Sequence, residues 1–144
     1  MSDLRLLNGT VRVDGKDADD WPDPDDWIHN AHTINRPVPQ DGQWHSLNVP
    51  AVRWGGECRL EIDVNAQVNP DKTVWIHGWS YFYEGASEDT GEEEDRQEID
   101  FVVPRNSSVY LQPYEQSYEL RNEVLIGPED FARVGFSLTN NITE

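Results

Sequence analysis

Hydrophobic and polar residues alternate over residues 57–68, where Cys58, Leu60, Ile62, Val64, Ala66 and Val68 are interleaved with Glu57, Arg59, Glu61, Asp63, Asn65 and Gln67. A period of two sends successive side chains to opposite faces of an extended chain, so this segment predicts a strand with one buried face. Asn69, Pro70 and Asp71 follow as turn residues. Residues 73–83 then alternate again, with Val74, Ile76, Gly78, Ser80 and Phe82 on one side and Trp75, His77, Trp79, Tyr81 and Tyr83 on the other. Two alternating runs about a short turn predict a hairpin. Because both sides of the second run are apolar or aromatic, that strand is expected to be central and covered on both faces.

Weaker segments repeat the period. Ile99, Phe101 and Val103 alternate within residues 97–103, and Ala132, Val134, Phe136 and Leu138 within residues 131–139; residues 108–111 and 117–126 are further strand candidates. Turn signals at Pro104-Arg105-Asn106, Pro113 and Gly127-Pro128 separate these runs. Residues 4–13 form either one strand or a tight hairpin about Asn8 and Gly9, a pair suited to a type I′ turn. Residues 44–52 form another strand, which Pro50 places at an edge or a bend. About seven to nine short strands and no helix longer than about one turn predict an all-β fold: one domain over residues 1–144, an antiparallel β-sandwich or jelly roll.

Two stretches break the alternation and read as long acidic loops. Residues 14–32 hold seven Asp, two Trp and two Pro, and residues 84–98 hold eight acidic side chains. Long loops in compact domains are usually functional or mobile, which directs attention to both.

Composition sharpens this picture through charge. The 144 residues carry 28 acidic against 11 basic side chains, a formal net charge of -17. Such a field repels phosphate backbones and anionic lipid, so nucleic acid and anionic membranes are excluded as partners. Lys16 and Lys72 are the only lysines, a bias that fits a GC-rich genome or a salty cytoplasm. No apolar run approaches the ~18 residues of a spanning helix, and the first residues lack the apolar core of a secretory signal; the expectation is a soluble, cytoplasmic protein. The single cysteine, Cys58, excludes an internal disulfide and lies in a buried register.

Acidic loops at the end of a β-sandwich are one way to build a calcium site, since Ca²⁺ takes six to eight oxygen ligands. The first loop offers Asp14, Asp17, Asp19, Asp20, Asp23, Asp25 and Asp26, and is favoured over Glu84, Glu88, Asp89, Glu92, Glu93, Glu94 and Asp95 because the shorter Asp side chain loses less freedom on binding. Neither stretch matches an EF-hand loop, and the alternative is a pair of solvated, self-repelling loops. His29 and His32 could begin a zinc site only if His45 or His77 joined them. Trp75, Trp79, Tyr81 and Tyr83 form a row that can stack on sugar rings, pack a partner or lie in the core.

Catalytic signatures are absent, and carboxylate pairs such as Glu61 with Asp63 are expected by chance among so many acids. The sequence therefore predicts a non-enzymatic recognition or assembly module for a protein partner, with calcium held by the first acidic loop. The alternative is a carbohydrate-binding domain that uses Trp21, Trp27, Trp75 and Trp79; a small hydrolase ranks third.

Overall fold

A computed structural model describes residues 4–17, 26–106, 113–121 and 130–142. These residues form nine strands and no helix: β1 (Leu4–Asp17), β2 (Asp26–Pro39), β3 (His45–Ser46), β4 (Val52–Trp54), β5 (Cys58–Val68), β6 (Val74–Glu84), β7 (Glu93–Val103), β8 (Tyr114–Arg121) and β9 (Phe131–Ile142). One sheet runs β2-β1-β9-β8 and the other β3-β5-β6-β7, with β4 also on β5. The two antiparallel sheets stack as a β-sandwich. No helix among the described residues is long and apolar enough to cross a membrane.

The alternating positions do what their period requires. Leu60, Val64, Ile76 and Phe82 of the second sheet face Val11, Val13, Val134, Phe136 and Leu138 of the first, each at most 2% exposed. Full burial of such side chains contributes about 1.5–3 kcal/mol each. Rings fill the interior: Phe101 meets Phe136 across the two sheets at 5.2 Å, and within the second sheet Trp54 lies parallel to Phe82 at 5.8 Å. At one end of the sandwich a buried polar knot joins four segments. Arg5 donates from Nε to the Asn140 side-chain oxygen at 2.8 Å and from Nη2 to the Asn140 carbonyl at 3.1 Å. Asn140 in turn donates to the carbonyls of Lys72 and Val103.

Several boundaries differ from the sequence reading. Of the two alternatives for residues 4–13 the single strand is the one found, extended to Asp17: β1 runs straight through Asn8 and Gly9, paired with β2 on one side and β9 on the other. Gly9 serves close approach, because with φ of 147° any Cβ would run into the Ser137 carbonyl of β9. Residues 14–32 are not one loop, since Asp14 to Asp17 finish β1 and β2 begins at Asp26. That edge strand was hidden because its inward positions mix Ile28, Ile34 and Val38 with His32 and Arg36. Within residues 84–98, β7 begins at Glu93, its charges lying on the exposed side of an edge strand while Ile99, Phe101 and Val103 turn inward. The run 44–52 breaks into two short edge pieces, β3 and β4, and the strand expected over 117–126 is β8, beginning earlier at Tyr114. The strand expected at 108–111 lies outside the described residues. Finally, β6 is central but not covered on both faces: its aromatic side is half-exposed.

Candidate functional site

The outer face of the second sheet is built by the period of β6. Trp75, His77, Trp79, Tyr81 and Tyr83 are the side chains that do not enter the core, and all five are half-buried along one line. Register sets polar groups on both sides of this row. On β5 they are flanked in order by Gln67, Asn65, Asp63, Glu61 and Arg59, and on β7 by Val102, Asp100, Glu98, Arg96 and Glu93.

Contacts fix the rings at each end. Trp44, just before β3, is 41% exposed and packs its indole 4.8 Å from Trp75 at 63° and 5.8 Å from His77 at 46°. These angles make a ring-walled corner rather than a flat platform. Trp75 donates its indole N–H to Asp100 Oδ1 at 2.6 Å, and His77 Nε2 lies 3.0 Å from Glu98 Oε2. At the far end the Arg59 guanidinium stacks 4.3 Å over Tyr83 and donates to Glu61 at 2.8 Å, while Arg96 sits 5.5 Å over Tyr81. Burial, then the carboxylates of Glu61 and Glu93, raise the Tyr83 phenol above its ordinary pKa. Trp79, in the middle of the row, lies between the carboxylates of Asp63 and Glu98.

Beside the row lies a hollow of about 390 Å³, lined by Ser46, Asn48, Ala51, Glu61 and Asp63. It exists because β3 pairs with residues 65 and 66 and β4 with residues 58 to 60, so the chain between them leaves the edge of β5. Asn48 takes a left-handed φ of 52° in this excursion, a conformation that Asn tolerates better than most residues. The face thus offers π surfaces for C–H groups and amide and carboxylate oxygens for hydroxyl donors.

The structure divides the remaining candidate residues. Trp27 is 55% exposed, but on the outer face of the first sheet, edge-on to Phe131 and under the Lys16 ammonium, so it does not share a site with Trp75 and Trp79. Trp21 lies outside the described residues, as do Asp19, Asp20, Asp23 and Asp25. Asp14 points outward to His29 Nδ1 at 2.7 Å, whereas Asp17 points inward and is 1% exposed; Asp26, directly across from it, is exposed. Asp14 therefore lies on the opposite side of the sheet from Asp17 and Asp26. The histidines are likewise apart, His45 on Asp41 and His77 on Glu98. The hydrogen bond from His45, then the Gln43 backbone N–H, hold the Asp41 carboxyl below its ordinary pKa.

Asp17 instead joins residues the sequence did not connect to it. Its carboxylate, Cys58 Sγ and an Asp130 oxygen all lie within 4.8 Å of one another, and so do oxygens of Asp17, Glu57 and Glu84. Cys58 is fully buried, and burial followed by the charges of Asp17 and Asp130 push its thiol pKa far up, so it stays protonated. No sequence signal links Asp17 to Asp130, because their meeting depends on the pairing of β1 with β9. Trp44 was also missed as a partner of Trp75, for the same reason: β3 and β6 both pair with β5, not with each other.

No protein-family model, curated protein or solved structure matches this chain.

Proposed function

We propose that the protein is a non-catalytic recognition module whose outer β5–β6–β7 face binds a neutral oligosaccharide. The observation that carries this reading is the five-ring row on β6, bordered in register by amides and carboxylates on β5 and by carboxylates on β7. Successive outward residues on a strand stand about 6.6–6.8 Å apart, so the row is an extended surface suited to a chain ligand. Rings stack on the apolar faces of sugars while Asn65, Gln67, Asp63 and Glu98 exchange hydrogen bonds with hydroxyls. A net charge of -17 disfavours anionic glycans and leaves neutral ones. Calcium is not part of this reading: Asp14 and Asp17 turn to opposite faces of β1, and Asp19, Asp20, Asp23 and Asp25 lie outside the described residues.

Titration with neutral hexasaccharides of glucose, xylose and mannose, followed by tryptophan fluorescence and calorimetry, tests the proposal. Binding is expected to protect tryptophan from acrylamide quenching, to change little with NaCl, and to weaken at least tenfold in Trp79→Ala. No binding by any of the three chains refutes it. A basic protein segment is the second reading, favoured by the guanidinium groups already seated on Tyr83 and Tyr81. Binding of that kind falls steeply with salt, which separates the two.

A further inference from the structure

The opposite outer face, on the first sheet, has a dent that the fold does not require. Gly135 sits in the interior of β9 with Arg12 of β1 and Ser117 of β8 as its cross-strand neighbours. Its φ is outside the left-handed region, and a Cβ built on it would meet nothing within 4 Å. Neither backbone conformation nor crowding therefore calls for glycine here, in contrast to Gly9 on β1. Glycine inside a strand weakens it, and where the fold gives no reason it marks a place where something approaches the sheet closely. The missing side chain opens a dent of about 270 Å³ walled by Arg12, Glu115, Ser117 and Ser137.

The charges around this dent are unlike those elsewhere on the face. One step along the strands, Asp14 pairs with His29, and Arg133 and Arg121 both approach Glu119. Arg12 and Glu115, by contrast, are exposed and make no ion pair or hydrogen bond among the described residues. They stand on strands two apart with β9 between, roughly 10 Å across the sheet and one pleat out of line, with the dent between them.

We propose that this dent is a binding site for a small zwitterion, a free amino acid or a dipeptide. Its carboxylate is held by the Arg12 guanidinium, which matches carboxylate geometry with two parallel hydrogen bonds, and its ammonium group lies toward Glu115. The Ser117 and Ser137 hydroxyls complete the polar wall, and the bare backbone at Gly135 admits the ligand's body. A ligand with both charges fits better than a simple anion because the site presents one charge of each sign. The site is on the other sheet from the aromatic row and stands or falls independently of it.

The test is an amide chemical-shift titration of the whole chain with the standard free amino acids and glycylglycine at millimolar concentration, with acetate and methylammonium as single-charge controls. Shifts confined to residues 12, 115–117 and 135–137, caused by the zwitterions and not by the controls, are expected. Gly135→Leu fills the dent and Arg12→Gln removes the carboxylate clamp; each is expected to weaken binding at least tenfold. Gly135→Ala is expected to raise the melting temperature by about 2–4 °C, since alanine holds a strand better than glycine. Absence of shifts from every zwitterion, equal shifts from acetate alone, unchanged affinity in Gly135→Leu, or destabilisation by Gly135→Ala would each overturn the proposal.

Discussion

The two faces of β6 can be separated by one pair of substitutions. Phe82 is fully buried and stacked on Trp54, and three residues earlier Trp79 stands half-exposed on the other side. Phe82→Ala removes a ring from a close-packed core and leaves a cavity, a change that costs about 3–5 kcal/mol. Trp79→Ala removes a larger ring, but much of it is in water already; losing half the value of a buried side chain costs about 1 kcal/mol. At about 4 °C per kcal/mol for a domain of this size, the melting temperature falls by about 12–20 °C in the first variant and by about 4 °C in the second. Differential scanning calorimetry of both variants in the same buffer checks the pair. Comparable losses would mean that β6 is covered on both sides, and the outer row would then be core instead of surface.

Three further outcomes follow from other parts of the molecule. The fold favours the neutral Cys58 thiol, whose pKa is raised from an ordinary 9.0, so its contribution to stability is complete below about pH 9 and is lost as the pH rises beyond that; Cys58→Ala is expected to flatten the decline in melting temperature between about pH 9 and 10, before tyrosines titrate, and an equal decline in the variant contradicts the assignment. With net charge -17, melting temperature is expected to rise between about 0.01 and 1 M NaCl as the Debye length shrinks from about 30 to 3 Å; a flat response would show that the acids are spaced well enough to cancel their repulsion. Gly9→Ala drives a methyl group into the Ser137 carbonyl and is expected to cost about 1–3 kcal/mol or more by denaturant unfolding, whereas a neutral effect would place β1 and β9 farther apart than described.

What was readable in the sequence was whatever a strand does alone. Residues 58–68 alternate without a fault, so both the strand and its buried side, Leu60 to Ala66, follow from the pleat. The β5–β6 hairpin was readable because its turn residues lie between two such runs. β2 was not, since an edge strand takes its hydrogen bonds from β1 and needs only Ile28, Ile34 and Val38 inward, too sparse a pattern beside Asp26, Trp27 and His29. For the candidate site, the rings of β6 were identified, but their exposure was not. Whether Trp79 is core or surface depends on what lies over it, and that is a property of the two-sheet arrangement rather than of residues 74–84. Composition carries no direction, so the sequence could not say which of the seven Asp share a side; as strand residues Asp14 and Asp17 face opposite ways, while Asp19, Asp20, Asp23 and Asp25 lie outside the described residues.

The pairing of β1 with β9 also has a consequence in time. Arg5 and Asn140 are 135 positions apart, and closing a loop of that length costs about 4 kcal/mol of chain entropy before any contact repays it. On a ribosome adding about 5–20 residues per second, β1 emerges on the order of ten seconds before the strand that will cover its open edge. During that interval its backbone donors and acceptors form a template on which another nascent chain can pair. A net charge of -17 sets like charge against like between neighbouring half-made chains, a repulsion that opposes such pairing until β9 arrives.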